Sequence, residues 1–309
     1  MVEGVVFIDG EFFSPEEARM SIFDSGFING DAVFDVVSVW KGSFFRLEEH
    51  LARFERSCAG FRLPLPYSTG EIRRILAECV SRAGLENSYV KMQLTRGISP
   101  IFSGFQESKG QFVAYAVPYV WIWGEEKCRN GAAIRVSSVE RISSRAIDQR
   151  FKNYNRADMV RARLEAHDHG ADDAVLLGSD GCLTEGLGWN ICIVRDDTVA
   201  SPDRDVLEGE TRQAVAELCA REGIVMQIRP VRATEVELAT EVFGTTTAGG
   251  VMPIVSLDGR AVGDGLPGPL TRLLQGLYWR EREAGWLATR VADILRAESG
   301  AAEVTSSVR

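Results

Sequence analysis

Two charged residues carry the chemistry for which this sequence can be read. Lys152 lies in Phe151-Lys152-Asn153-Tyr154-Asn155, and Glu185 lies in Leu183-Thr184-Glu185-Gly186-Leu187-Gly188-Trp189-Asn190. Lys152 reads as sitting immediately before a helix. Asn155 is its predicted N-cap, with Asp158 three residues on. Ala157, Val160 and Leu164 recur at helical spacing, and Gly170 is a natural stop. Ala174 to Leu177 and Ile191 to Val194 read as strands, with a turn at Gly178-Ser179-Asp180-Gly181. Glu185 falls in the irregular segment between them. A lysine at an element boundary and a carboxylate brought back by a hairpin suit pyridoxal phosphate. That cofactor needs a Schiff-base lysine and an acid that keeps its pyridine nitrogen protonated, so that the ring can accept electrons. By residue type alone, base rates favour two solvated surface charges.

Anion-binding candidates lie elsewhere in the chain. Leu207-Glu208-Gly209-Glu210-Thr211 opens a predicted helix with apolar positions Ala214, Val215, Leu218 and Cys219, and Gly223 ends it. A glycine and a hydroxyl residue at a helix start form a phosphate cup, because free N–H groups point outward there. Glu210 is an unwelcome charge in such a cup unless it points away. The segment lacks the Gly-Lys-Ser/Thr ending of a Walker loop. Val242 to Val251 ends a strand in Thr245-Thr246-Thr247-Ala248-Gly249-Gly250, whose hydroxyls and N–H groups can face an anion or simply close a strand.

The elements that must position these residues follow from patterning. The chain has 309 residues, enough for a large core in one or two domains. A formal net charge of -9 argues against a polyanion-binding surface, so no nucleic-acid partner is expected. No apolar run approaches a membrane span, and no secretory signal is visible, so a cytoplasmic protein is expected. The six cysteines are dispersed and read as buried, reduced thiols. His167 and His169 read as solvated residues at a helix end; no metal site is expected. Val5 to Phe13 reads as a hairpin, Ser21 to Gly30 as a loop, and Val33 to Trp40 as a strand. Leu47 to Cys58 and Thr69 to Gly84 read as amphipathic helices. Tyr89 to Thr95 and Phe112 to Val120 are strands flanking a mobile loop from Ile98 to Gly110. The predicted organisation is an N-terminal α/β domain over 1–120, an interdomain linker over 121–131, and a larger domain over 132–309 whose tail is disordered after about 299.

The stretch from Lys152 to Asn190 resembles the class IV (fold type IV) pyridoxal-phosphate aminotransferases, in which a lysine precedes a helix and a T-E-G-x-x-x-N segment. Thr184-Glu185-Gly186 and Asn190 match that spacing, and Phe44 to Leu51 resembles the family's F-R-L-x-x-H-L segment. The resemblance covers roughly Val5 to Trp279. It is closest to the (R)-selective amine transaminases, through Phe34 to Trp40, Ala248 to Ile254 and Gly268 to Thr271. It implies a two-domain α+β fold with a pseudobarrel, active sites between domains, and a homodimer. It implies that Lys152 is the Schiff-base and proton-transfer residue and that Glu185 meets the pyridine nitrogen. Arg46, Thr211 and Thr247 would hold the phosphate, with Glu210 and Thr246 beside them and Leu207 on the ring. Arg46 could equally form a surface ion pair with Glu48 or Glu49. Phe34, Val36, Lys91, Trp189 and Ala248 are candidate substrate contacts. The implied reaction is ping-pong transamination between an (R)-amine or D-type donor and a keto acid or ketone. Alternatives are a D-amino-acid or branched-chain aminotransferase, an aminodeoxychorismate-lyase-like enzyme, or a non-catalytic binding protein. Three positions depart from the amine transaminases. Asn29 replaces a common histidine, Lys91 replaces a common acid, and the segment after Gly97 lacks an acceptor-binding arginine. Lys91 either meets a substrate carboxylate, or faces outward or is neutralised by a nearby acid.

Overall fold

A computed structural model of the chain describes residues 2–98 and 108–297. The central part of the expected mobile loop and the expected disordered tail lie outside the described residues. The chain forms two compact units. One comprises Met1–Tyr119, Phe151–Tyr154 and the chain from Arg282 onward; the other comprises Val120–Arg150 and Asn155–Glu281. This corrects the expected domain boundaries in two respects. The Lys152 segment and the C-terminal chain belong with the N-terminal unit. The expected linker over 121–131 is folded into the second unit, where Trp123 and Cys128 are core residues.

The first unit is built from β1 (Val5–Ile8), β2 (Glu11–Phe13), α1 (Ser25–Asn29), β3 (Ala32–Trp40), β4 (Ser43–Phe45), α2 (Leu47–Gly60), α3 (Thr69–Ala83), β5 (Ser88–Ile98) and β6 (Lys109–Pro118). The segment read as a loop contains the short helix α1. Asp24 starts it by accepting the N–H of Gly26, and Gly30 closes it in the left-handed region. Ser68 and Glu71 form a capping box on α3. The antiparallel core of the sheet runs β4-β3-β5-β6-β1-β2. Strand alternation sorts its residues between two faces. Val33, Val37, Val39, Val90, Met92 and Leu94 pack with Leu51, Phe54, Ile72 and Leu76 of the helices. Phe34, Val36, Lys91, Gln93 and Tyr115 alternate with these core residues and so project from the opposite face, with Val36 paired to Lys91 and Lys91 to Tyr115.

The second unit contains α4 (Glu125–Asn130), β7 (Ala132–Glu140), α5 (Ala157–Asp168), β8 (Asp173–Leu177), β9 (Leu183–Gly186), β10 (Trp189–Arg195), β11 (Thr198–Ser201), α6 (Glu210–Arg221), β12 (Met226–Ile228), α7 (Ala233–Val236), β13 (Glu241–Thr246), β14 (Gly250–Leu257), β15 (Arg260–Ala261) and most of α8 (Pro269–Glu283). Beyond it, β16 (Ala288–Arg290) adds to β4 in the first sheet. Strands β10, β13, β14, β7, β8 and β9 close on themselves through the β9–β10 pairing, which gives a six-stranded barrel. Helix α5 corrects two expectations. Arg156, not Asn155, precedes it, without a side-chain cap. Its buried residues are Asp158, Met159, Ala162 and Ala166, while Val160 and Leu164 are 46% and 58% exposed. Alanines let the helix lie close to Ala174 and Leu176, so the larger aliphatic residues are left outside. No described helix is long and apolar enough to cross a membrane.

Candidate active site

Lys152 is held through its backbone within the first unit. Strand β4 pairs only with Val39 and Trp40 of β3, which leaves the start of β3 open on that side. The 151–154 segment occupies it. Phe34 N donates to the Lys152 carbonyl at 3.0 Å, Tyr154 N donates to Ala32 O at 3.2 Å, and Val33 bridges Asn153. On the other peptide side, Lys152 N donates to Ser57 Oγ of α2 at 3.0 Å. The Lys152 Nζ lies 4.9 Å from the centre of the Phe34 ring.

Lys91 shares that ring. Its Nζ lies 4.4 Å from the Phe34 centre, 4.7 Å from Tyr154 and 5.9 Å from Tyr115, distances at which an ammonium is attracted to ring faces. Tyr154 OH also bonds the Gln93 side chain. The structure thus groups Lys152, Lys91 and Phe34 on one face of one sheet, beside Val36.

Beneath that face lies a buried ionic cluster that the sequence reading missed. Asp35 points into the apolar side of β3. Its carboxylate accepts from Arg53 Nε at 2.7 Å and Nη2 at 2.9 Å, and it bonds His50 Nδ1 at 2.8 Å. Burial alone would raise the Asp35 pKa, but Arg53 and His50 together hold it well below the usual carboxylate range. The detectable signal was in α2. His50, Arg53 and Ser57 follow helical spacing within a stripe containing Leu47, Leu51, Phe54 and Cys58. Arg46 precedes this helix in the left-handed region, 5% exposed, and pairs with Glu49 at 3.1 Å. The ion-pair reading of Arg46 therefore holds for its partner, although the arginine is buried.

In the second unit, β9 and β10 position Glu185, which is 5% exposed. Its Oε2 accepts from Leu207 N at 3.0 Å and Asn190 Nδ2 at 3.4 Å, and its Oε1 from Arg141 Nη2 at 3.3 Å. Arg141 also pairs with Asp158 at 2.5 Å and bonds Gln149. Asn190 donates to Leu207 O at 2.9 Å, so Asn190 and Glu185 both fix the loop that enters α6.

Gly209 is the N-cap of α6 and offers no side-chain cap to its first amides. Helix α8 differs, because Glu241 accepts from Leu270 N at 3.0 Å and Thr271 N at 2.7 Å. The first amides of a helix lack intrahelical acceptors, so the α6 terminus suits an anion. A Cβ at Gly209 would lie 2.1 Å from Asn190 Oδ1. Thr211 is buried in this turn; Glu210, Leu207 and Thr247 are half-buried. A buried acceptor braced by three donors and an open helix terminus tied to the same asparagine fit a cofactor with a basic ring nitrogen and a phosphate.

Two predicted residues have other engagements. Thr246 Oγ1 donates to Gly188 O at 2.7 Å and accepts from Ala248 N at 3.3 Å. Trp189, a candidate substrate contact, belongs to the barrel core and is 2% exposed. Its indole N–H donates to Asp173 at 2.9 Å, as does that of Trp123, and Arg163 pairs with the same carboxylate at 2.6 Å. A tryptophan that buries its rings needs an acceptor for its N–H, and Asp173 supplies it. Ala248 is buried, and its carbonyl accepts from Ile122 N at 2.9 Å.

A family model described as Amino-transferase class IV matches residues 32–257. The chain is 30% identical over 280 residues to branched-chain-amino-acid aminotransferase-like protein 2 of Arabidopsis thaliana, covering 89% of this chain but 49% of that protein. It therefore spans about half the length of that relative. It is also 30% identical over 278 residues to a D-alanine aminotransferase of Bacillus licheniformis, covering 87% of this chain and 94% of that one. A branched-chain amino acid aminotransferase from Thermobaculum terrenum, solved in its PLP form, matches with a TM-score of 0.84 at 28% identity. That match covers 94% of this chain and 99% of the other. A match over most of the chain, joined to the barrel and the braced Glu185, leads to one conclusion: the chain belongs to the class IV aminotransferases.

Proposed function

We propose that this chain is a pyridoxal-phosphate aminotransferase that takes its amino group from an (R)-amine or D-type amino acid and passes it to a keto acid or ketone. The observation that carries the reading is the fixation of Lys152, whose N–H and C=O are both bonded while its amine lies beside Phe34. The cofactor, when bound, supplies an electron sink for charge developing at the donor carbon. Lys152 would hold it through its amine, and that amine would be the group placed to move a proton at the donor carbon. Glu185 would accept the N–H of a protonated ring nitrogen. Arg46, Thr211, Thr247 and the first amides of α6 would hold the phosphate, for which a guanidinium fork is well shaped.

The amine-transaminase hand rests on the motifs at Phe34 to Trp40, Ala248 to Ile254 and Gly268 to Thr271, and the D-alanine aminotransferase relative supports the D side. A second reading, a branched-chain amino acid donor, is favoured by the names of the Arabidopsis and Thermobaculum relatives. A homodimer is part of the proposal. Met20, Ile22, Phe23, Phe27 and Ile28 are 40% to 75% exposed within nine residues of chain, a concentration that supports the dimer reading. Six buried free cysteines support a reducing, cytoplasmic setting.

The test is the visible absorbance of the protein loaded with pyridoxal phosphate. It is titrated with an (R)-aryl-alkylamine, D-alanine and a branched L-amino acid in turn. Bleaching by the chiral amine or D-alanine supports the first reading, and bleaching by the branched L-amino acid alone supports the second. Lys152→Ala is expected to abolish turnover. Substantial residual transamination in that variant would reject the role of Lys152.

A further inference from the structure

We propose that Ser57 is a positioning residue for Lys152, an inference that rests on reading Lys152 as the cofactor-bearing lysine. Serine is a poor choice for a helix interior, because its hydroxyl competes for backbone groups. Ser57 nevertheless lies inside α2 and is fully buried. Its hydroxyl donates to the Arg53 carbonyl at 2.9 Å. A hydroxyl has one hydrogen, so that donation leaves Ser57 Oγ as an acceptor, and Lys152 N fills this role at 3.0 Å. Three residues on, Gly60 has no side chain where the Phe151 ring lies; a Cβ there would come 2.4 Å from the ring. The final turns of α2 thus offer a hydroxyl to Lys152 and a flat seat to Phe151.

The arrangement closes into a circuit. Lys152 C=O is held by Phe34 N, and the next residue in β3 is Asp35. Asp35 grips Arg53, and the Arg53 carbonyl orients Ser57. Helix and strand therefore fix the two peptide groups of Lys152 relative to one another. A lysine stem can absorb a small backbone shift in length, but its direction of approach changes. Proton transfer depends on that direction, since a misplacement of roughly 1 Å can cost about 10²-fold in rate.

The experiment compares Ser57→Ala and Ser57→Thr in the full chain. In protein stripped of cofactor, amide exchange is measured for peptides covering 149–156 and, as reference, for β5. Ser57→Ala is expected to speed exchange in the first peptide about tenfold, as losing one buried hydrogen bond predicts, and to leave β5 unchanged. Ser57→Thr, which keeps the hydroxyl, is expected to restore the wild-type rate. In the loaded enzyme, kcat falls about 10²-fold in Ser57→Ala with the donor KM unchanged. Ser57→Cys, whose sulfur accepts weakly, provides the same comparison if the alanine variant does not fold. Unchanged exchange at 149–156, equal acceleration in β5, or no rescue by threonine overturns the proposal. Lys152→Ala separates the two claims. If borohydride still fixes the cofactor to that variant, the lysine assignment fails, whereas the exchange result judges Ser57 independently.

Discussion

Glu185 Oε2 accepts the backbone N–H of Leu207 at 3.0 Å, so the carboxylate assigned to the cofactor nitrogen also braces the chain entering α6. Glu185→Gln would place an amide N–H₂ against at least one of the donors Leu207, Asn190 and Arg141. The apoprotein is expected to lose about 1–3 kcal/mol of stability from an unsatisfied buried donor. Turnover is expected to fall by about 10²-fold or more, because a neutral amide does not hold the ring nitrogen protonated. Urea unfolding and single-turnover kinetics measure the two losses separately. Wild-type turnover in a fully loaded variant would remove Glu185 from the mechanism.

Gly209 is required for space. Its φ is -73°, which any residue adopts, but a Cβ there would lie 2.1 Å from Asn190 Oδ1. Gly209→Ala must therefore displace Asn190, which donates to Glu185 and to Leu207 O. Pyridoxal phosphate affinity is expected to drop about tenfold or more, equivalent to one lost charge-assisted hydrogen bond. Fluorescence titration of the apoprotein measures it; an unaltered affinity would separate this turn from the phosphate.

Acid should unfold the first unit through Asp35. Its folded pKa is depressed, so its contribution is fully present above the unfolded value, near 3.9, and is lost as pH falls toward the folded one. Glu165 does the same for the second unit, where the Ser137 hydroxyl, with Ser138 and Arg135, holds it down to about 2. Asp35→Asn is expected to cost about 3–5 kcal/mol at neutral pH by leaving Arg53 buried without its carboxylate. It should also flatten the dependence of the urea midpoint on pH below about 5. A midpoint that still falls with the wild-type slope would assign the acid sensitivity to other groups.

The parts of the candidate site legible in sequence were those with a contiguous signal. Lys152, Glu185 and the α6 turn stand in short segments where residue type, spacing and turn chemistry agree. The partners that hold them came from distant segments. Ser57 and Lys152 are 95 residues apart, and Arg141 and Glu185 are 44 apart. Asp35 was hidden because β3 is buried on both faces, so its run of apolar residues gave no alternation to expose a charge on the wrong side. Helix α5 misled for the opposite reason. Val160 and Leu164 set the apparent apolar face, while small alanines made the real one. Trp189 was legible as an important aromatic residue, but the carboxylate that claims its N–H lies on β8, beyond the intervening strand β9.

Lys91 is the residue through which the acceptor can be tested. Its Nζ is 4.4 Å from the centre of the Phe34 ring, and the Lys152 Nζ is 4.9 Å from the same centre. A keto acid whose carboxylate met Lys91 would therefore lie near the Lys152 amine, the group proposed to move the proton at its reacting carbon. Lys91→Met keeps most of the hydrocarbon stem and removes the charge, which separates packing from ion pairing. The keto acid KM is expected to rise about 10- to 100-fold in Lys91→Met, the range of one charge-assisted hydrogen bond, while the KM of a ketone without a carboxylate stays unchanged. Initial rates with pyruvate against a carboxylate-free ketone make the comparison. An equal rise for both acceptors would assign Lys91 to the packing of Phe34 and Tyr154. No rise for either would leave the carboxylate to another residue. Only a rise confined to the keto acid supports recognition by the Lys91 charge.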